Sequence, residues 1–223
     1  KNGNRENPAG TDLTINAAST TGTDGNGIRA RNYGSGALSI TTTGTTTGTN
    51  GDGIFAYNKG TDLTINAATT KGGSGIYANN RGSGALSITT TGKTTGNFHG
   101  ISARHYGKGD LSITTTGKTM GNSRYGDGIF AKNGNIYTHY VHGGLTINAA
   151  TTTGGRHGIS AKNFGSGALS ITTTGKTTGG TGHGIYAYNA GSGGTSITVA
   201  STGSIETSAD KGYGIFNKSS GTA

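Results

Sequence analysis

Four side chains able to ligate a metal or carry a proton recur at one offset in this sequence. His99, Asp127, His157 and His183 each stand two residues before the isoleucine of a repeated Gly-Ile pair. Stacked imidazoles can bind zinc or copper. Their spacing, however, would be set by the repeat rather than by a tetrahedral ligand sphere, and no second shell of donors accompanies them. A pH-sensitive turn ladder is the simpler chemistry. Carboxylates are scarce: the chain has nine acidic residues, several of them in turn dipeptides such as Asp24-Gly25, Asp52-Gly53 and Asp127-Gly128. Asp12, Asp62 and Asp110 share one register on alternate repeats, which puts them roughly 10 Å apart. That leaves no carboxylate pair for hydrolysis of a glycosidic bond, and turn capping is their expected role. Gly-Ser-Gly at Gly34, Gly82, Gly165 and Gly191 is a repeated turn, not the Gly-Asp-Ser-Gly of a serine nucleophile. No nucleophile with a paired base stands out, and the Gly-Gly-x-Gly-x-Asp nonapeptide of calcium β-rolls is missing. The chain reads as a non-enzymatic protein with no catalytic residue, metal or cofactor.

The elements that position these residues are short and repeated. Gly-Ile followed one residue later by Ala occurs at Ile28, Ile54, Ile76, Ile101, Ile129, Ile159 and Ile185, with a degenerate copy at Ile215. Between these anchors falls Leu-Ser/Thr-Ile, at Leu13, Leu38, Leu63, Leu86, Leu111, Leu145 and Leu169, ending in Thr195-Ser196-Ile197. Within each phrase the apolar residues alternate, Leu38 and Ile40 against Ser39 and Thr41, and period two means strand. Strands this short bury a face only by stacking on the next repeat. The fold class is therefore all-β, a right-handed parallel β-helix of about eight coils. Residues 1–10 form an N-terminal flank and 11–223 a single β-helix domain. At about 4.8 Å per coil the rod is roughly 40 Å long.

Composition alone would suggest disorder: 223 residues, 46 Gly, one Pro, no Cys, a formal charge of +9 and only 29% apolar residues. Leu, Ile, Val and Phe fall below the fraction that usually offsets ordering entropy. Periodicity overturns this. After each Gly-Ile-x-Ala comes Asn32, Asn58, Asn80, Asn133, Asn163 or Asn189, with His105 in the remaining coil. This reads as an asparagine ladder, in which each Asn takes a left-handed turn conformation and its amide bonds to its neighbours. Inward threonines of the Thr-Thr-Thr-Gly stretches should stack likewise. No disulfide framework is possible. Lys1 to Gly10 lack the apolar core of a signal peptide, so the sequence reads as a mature fragment.

Recognition is the remaining chemistry, and three surfaces offer it. Positions between the inward Ile and Ala form two outward ladders. One reads Arg29, Phe55, Tyr77, Ser102, Phe130, Ser160, Tyr186, Phe216; the other Arg31, Tyr57, Asn79, Arg104, Lys132, Lys162, Tyr188. Aromatics beside Arg and Lys suit protein or glycan recognition. They also favour strands on propensity alone. A second surface is the column Lys93, Lys118, Lys176, joined loosely by Lys71 and Arg156, which would hold heparan sulfate with a salt-dependent affinity. Lysines at turns equally serve solubility. The third is an insertion over residues 134–144, where Tyr137, His139, Tyr140 and His142 replace the usual five-residue link, with Arg124 and Tyr125 near by. Insertions in solenoids form loops on binding faces, or fold over the rod and bury their own aromatics.

The phrases Leu-Thr-Ile-Asn-Ala-Ala-Thr-Thr, Gly-His-Gly-Ile-Tyr-Ala-Tyr-Asn and Gly-Ser-Gly-Ala-Leu-Ser-Ile-Thr-Thr-Thr-Gly resemble the passengers of Bartonella-type autotransporters, over residues 11 to 220. The resemblance implies export through an outer-membrane β-barrel absent from this sequence, then surface display or release. It implies a host cell-surface receptor as partner, and the short basic passengers of this group point to a vascular endothelial growth factor receptor and proangiogenic signalling. No nucleic acid is implied. Rival readings are an adhesin without signalling, a polysaccharide lyase or hydrolase, and an ice-binding solenoid. The last rests on outward hydroxyls such as Ser39, Thr41 and Thr43, and is disfavoured by Asn16, Asn66 and Asn148 and by coil lengths too variable for a flat lattice.

Overall fold

The computed structural model describes residues 2–3, 10–135 and 143–219. Every element in them is a β-strand, and every pairing between strands is parallel. The Gly-Ile phrases form an eight-stranded sheet running from Ile28–Asn32 to Ile215–Ser219, with Ile on Ile throughout and Ala on Ala until Asn217 takes the place in the last strand. The Leu-Ser/Thr-Ile phrases stack likewise, from Leu13–Ala17 to Thr195–Val199. The result is a β-solenoid of about eight turns.

Each coil also holds a third strand that the two sequence anchors do not announce. It carries Thr-Thr-Gly or a variant, as at Thr20–Gly22, Thr94–Gly96, Thr119–Gly121, Thr152–Gly154 and Lys176–Gly179. In two coils it fuses with the leucine strand into one long element, Leu38–Gly48 and Leu63–Gly72, which joins the two stacks into a single 14-stranded sheet. Its closing glycine is required sterically: a Cβ on Gly96 would collide with the backbone carbonyl of His99 as the chain turns.

The core is built from inward columns: Leu38, Ile40, Ile54 and Ala56 and their equivalents, nearly all fully buried. Thr42, Thr90, Thr115 and Thr173 alternate with Ala67 and Ala149 in a further column, and Thr46, Thr70, Thr94, Thr119, Thr152 and Thr177 fill another. Small residues there keep the cross-section narrow, which explains a core with so little aliphatic volume. The hydroxyls do not form the expected continuous ladder. Thr152 donates to Thr177 at 3.0 Å, whereas the hydroxyls of Thr42, Thr46, Thr70, Thr90, Thr94, Thr115, Thr119 and Thr173 have no partner. A coil rise of about 4.8 Å keeps the oxygens of identically oriented threonines beyond hydrogen-bond distance.

Asparagine amides do span the rise. Asn32 Nδ2 donates to Asn58 Oδ1, Asn58 to Asn80 and Asn133 to Asn163, each at 3.0 Å, and Asn163 donates to Asn189 at 3.1 Å. Each amide also donates to a carbonyl at the end of its own turn, as Asn163 does to Gly167 at 2.8 Å. Several accept the N–H two residues on. His105 takes the position in its coil, its Nε2 3.0 Å from the Gly109 carbonyl. None of these asparagines is left-handed, because no described non-glycine residue has positive φ. The side-chain bonds close the turn without that geometry.

Candidate recognition face

The side of the rod formed by the Gly-Ile sheet carries the two outward ladders in unbroken register, so Arg29, Phe55, Tyr77, Ser102, Phe130, Ser160, Tyr186 and Phe216 stand one above another. Phe55 and Tyr77 stack at 5.2 Å between ring centroids, Tyr186 and Phe216 at 5.4 Å. Where Ser102 interrupts the rings, the Arg104 guanidinium of the second ladder fills the space, 5.4 Å from the Tyr77 centroid and 5.5 Å from that of Phe130. Arg104 also donates to the Tyr77 hydroxyl at 2.9 Å. Ser160 leaves a second gap, taken by Lys162 Nζ at 5.9 Å from Phe130 and 5.7 Å from Tyr186. Ser102 and Ser160 are consequently buried although they point outward. Arg31 and Arg29 close the other end over Phe55. The face is an alternation of rings and cations, each cation held over ring faces as electrostatics favours.

A third column, not foreseen from sequence, flanks it. The residue after the ladder position continues the pattern in five coils, as Tyr33, Lys59, Arg81, Tyr106 and Phe164, with Gly134 and Ala190 in the other two. Tyr33 meets Tyr57 at 5.5 Å and Phe164 meets Tyr188 at 5.5 Å, while Lys132 Nζ lies 6.0 Å from the Tyr106 centroid and 5.3 Å from that of Phe164. Burial lowers the Lys132 ammonium from its ordinary value, helped by Lys162 and Arg104. The signal was a fixed offset from Asn, masked by the mixture of residue types. The strand from Ile215 adds Lys218 opposite Tyr188. Across these three columns no described residue is acidic.

Five of the described acids are engaged elsewhere, as turn caps. Asp12, Asp62 and Asp110 each accept a backbone N–H from the next coil, of Ala37, Ala85 and Gly144, at 2.7 to 2.8 Å. The residues two before each Gly-Ile isoleucine form another such column. Asn26 accepts from Asp52 N–H, Asp52 from Ser74, His99 from Asp127, Asp127 from His157, His157 from His183 and His183 from Tyr213. The imidazoles stack face to face, His157 on His183 at 5.2 Å, with Nδ1 turned to backbone. They do not converge on a point as metal ligands would. Burial lowers all three histidines, His157 to about 4. His99 Nδ1 lies 3.9 Å from the Asp127 carboxylate, but it already accepts the Asp127 N–H, so the pair is no ion pair. Fully buried Asp127 is instead clamped by Arg156 through two bonds of 2.9 and 2.7 Å.

The remaining sequence candidates fare unequally. Lys93 and Lys118 occupy adjacent coils, but Thr151 takes the next place and Lys176 is paired with Glu206 at 2.7 Å. Lys71 sits beside Thr95, off that column, and Arg156 lies at another corner. The lysine stripe is therefore two residues long. Tyr137, His139, Tyr140 and His142 lie outside the described residues. The insertion leaves from Gly134, in the left-handed conformation at φ +77°, at the C-terminal end of strand Ile129–Asn133. Arg124 and Tyr125, with the guanidinium 4.9 Å from the ring centroid, precede that strand. Five residues of strand, roughly 16 Å, separate that pair from Gly134. On the leucine sheet the rows through Ser39 and Thr41 keep coil-to-coil register, whereas pairing shifts between Thr42 and Thr45, next to Thr43; Asn16, Asn66 and Asn148 interrupt the Thr41 row.

No protein-family model matches the chain, and neither does any curated protein or solved structure.

Proposed function

We propose that this chain is a rigid recognition rod of a host-interaction protein, exported across a bacterial outer membrane and then displayed or released. Its ring-and-cation face binds an acidic patch on an endothelial cell-surface receptor, and signalling follows. The observation that carries the reading is the composition of one side of the rod: Arg29, Arg31, Lys59, Arg81, Arg104, Lys132, Lys162 and Lys218 interleaved with aromatic rings and no described carboxylate. Rigid aromatic and arginine side chains are the groups that dominate interface energetics, and a field of one sign steers an acidic partner. The resemblance of the repeat phrases to autotransporter passengers supports export and points to the vascular endothelial growth factor receptor class. A chain without cysteine suits passage in an unfolded state.

The test is saturable binding of the purified chain to endothelial cells with receptor phosphorylation read in parallel. Arg104→Gln with Lys162→Gln should abolish most binding, while Lys93→Gln with Lys118→Gln, the same charge change on another surface, should leave it intact. Equal loss in both would sink the face as the binding element. Attachment without phosphorylation would reduce the protein to an adhesin.

A further inference from the structure

The turns that follow the Gly-Ile strands open without charge in three coils: Tyr33-Gly34-Ser35, Phe164-Gly165-Ser166 and Ala190-Gly191-Ser192. Three successive coils depart from this. They read Lys59-Gly60-Thr61, Arg81-Gly82-Ser83 and Tyr106-Gly107-Lys108, and together they enclose an open cleft of about 360 Å³ lined by Lys59, Gly60, Arg81, Gly82, Ser83, Tyr106, Gly107 and Lys108. Its floor is backbone. A Cβ on Gly82 would run into the Thr61 and Gly60 carbonyls of the coil beneath, so the stack demands glycine there and the walls alone carry side chains.

Those walls hold two lysines, an arginine and a tyrosine. The Arg81 guanidinium lies 5.3 Å from the Tyr106 ring centroid, which fixes one wall. Lys59 and Lys108 are exposed at the rim. No carboxylate lines the cleft. The nearest in sequence, Asp62 and Asp110, are turned to the Ala85 and Gly144 N–H groups. The basic row does not stop at the rim, because Lys132 faces Tyr106 from the next coil. Cations therefore recur along the rod axis at the coil rise, a spacing suited to a linear polymer with charges at regular intervals. The cleft is too narrow for a folded domain, yet its volume accommodates a sugar ring.

We propose that this cleft binds one sulfated or uronate sugar unit of an anionic polysaccharide lying along the rod axis. Lys59, Arg81 and Lys108 take the acidic groups, Arg81 as the fork that matches sulfate or carboxylate geometry, and Tyr106 forms the flat wall against the ring. The site rests on the reading of this side of the rod as the recognition side, and adds to it a glycan-binding edge distinct from the strand surface.

The experiment measures affinity for heparin, hyaluronate and polyglutamate at fixed salt. The proteins compared are the wild-type chain, the triple variant Lys59→Ser, Arg81→Ser, Lys108→Ser, and the charge-matched control Lys93→Ser, Lys118→Ser, Lys211→Ser. All six positions are exposed, and thermal melting verifies that each variant folds. Wild type should bind heparin, and the cleft variant should bind about tenfold or more weakly, as expected for three charge-assisted contacts, with the control near wild type. Equal losses in the two variants would mean diffuse charge and overturn the cleft. Preference for polyglutamate over both glycans would overturn the polysaccharide assignment in favour of an acidic peptide. Absence of glycan binding in a chain that still attaches to cells would overturn the cleft alone, and absence of both would remove the recognition side with it.

Discussion

A buried threonine hydroxyl without a partner costs the fold more than a methyl in the same place. Thr90 and Thr115 are inward, essentially inaccessible, and lack a hydrogen-bond partner, while their neighbours in the column include Ala67 and Ala149. Valine has nearly the same shape and the same preference for strands. Replacing Thr115 by Val should therefore stabilise the chain by about 1 kcal/mol, since an orphaned buried polar group costs roughly 1–3. Thr152→Val should do the reverse, because it breaks the bond to Thr177 and leaves that oxygen buried alone. Urea unfolding of the two variants checks the contrast, and a shift of the same sign in both would refute it. Retention of threonine at these inward positions is not explained by stability.

At the scale of the strand and its turn, the asparagine is the joint that holds successive coils together. Asn163 donates to the Gly167 carbonyl and to Asn189, and accepts from Asn133 and the Gly165 N–H. Asn163→Ala should cost about 3 kcal/mol, the sum of several unmet buried groups. Because each coil touches only its neighbours, hydrogen exchange should quicken first around strands Ile159–Asn163 and Ile185–Asn189, with strands near Ile54 and Ile76 little changed. Uniform acceleration would mean that the solenoid opens as one unit. This ladder was legible in the sequence because its spacing follows the Gly-Ile anchor. So were the sheet registers and the turn-capping aspartates. The third strand of each coil was not, since Thr-Thr-Gly offers no apolar alternation to mark it. Of the recognition face, the two ladders could be read from period two, but not the insertion of Arg104 and Lys162 between rings, which depends on side chains reaching across a rung to cover serine. The lysine column failed because Thr151 breaks the run between Lys118 and Lys176, and Glu206 pairs with Lys176.

Over the whole rod, one corner makes stability depend on pH. His99, His157 and His183 each use Nδ1 to accept the backbone N–H of the next coil, so the folded state needs these nitrogens unprotonated. Burial is the main cause that lowers all three below their ordinary 6.5, with Asp127 opposing it at His99 and His157, and His157 falls to about 4. Between those values the unfolded chain binds protons that the folded chain refuses, which makes stability rise with pH in that window. Stability should thus be complete above 6.5 and decline as pH falls toward about 4. Asp52, in the same column, is raised by burial and contributes with the opposite sign. Asn26 shows what could replace a histidine here, since its Oδ1 accepts the Asp52 N–H at 2.7 Å. His157→Asn should therefore keep the melting temperature at pH 7.5 and recover part of the loss at pH 5. Melting curves of wild type and variant at the two pH values decide the matter: an undiminished acid loss in the variant would move the cause away from His157, and a lower melting temperature at pH 7.5 would show that the imidazole stack with His183 and Tyr186, rather than the cap alone, holds this corner.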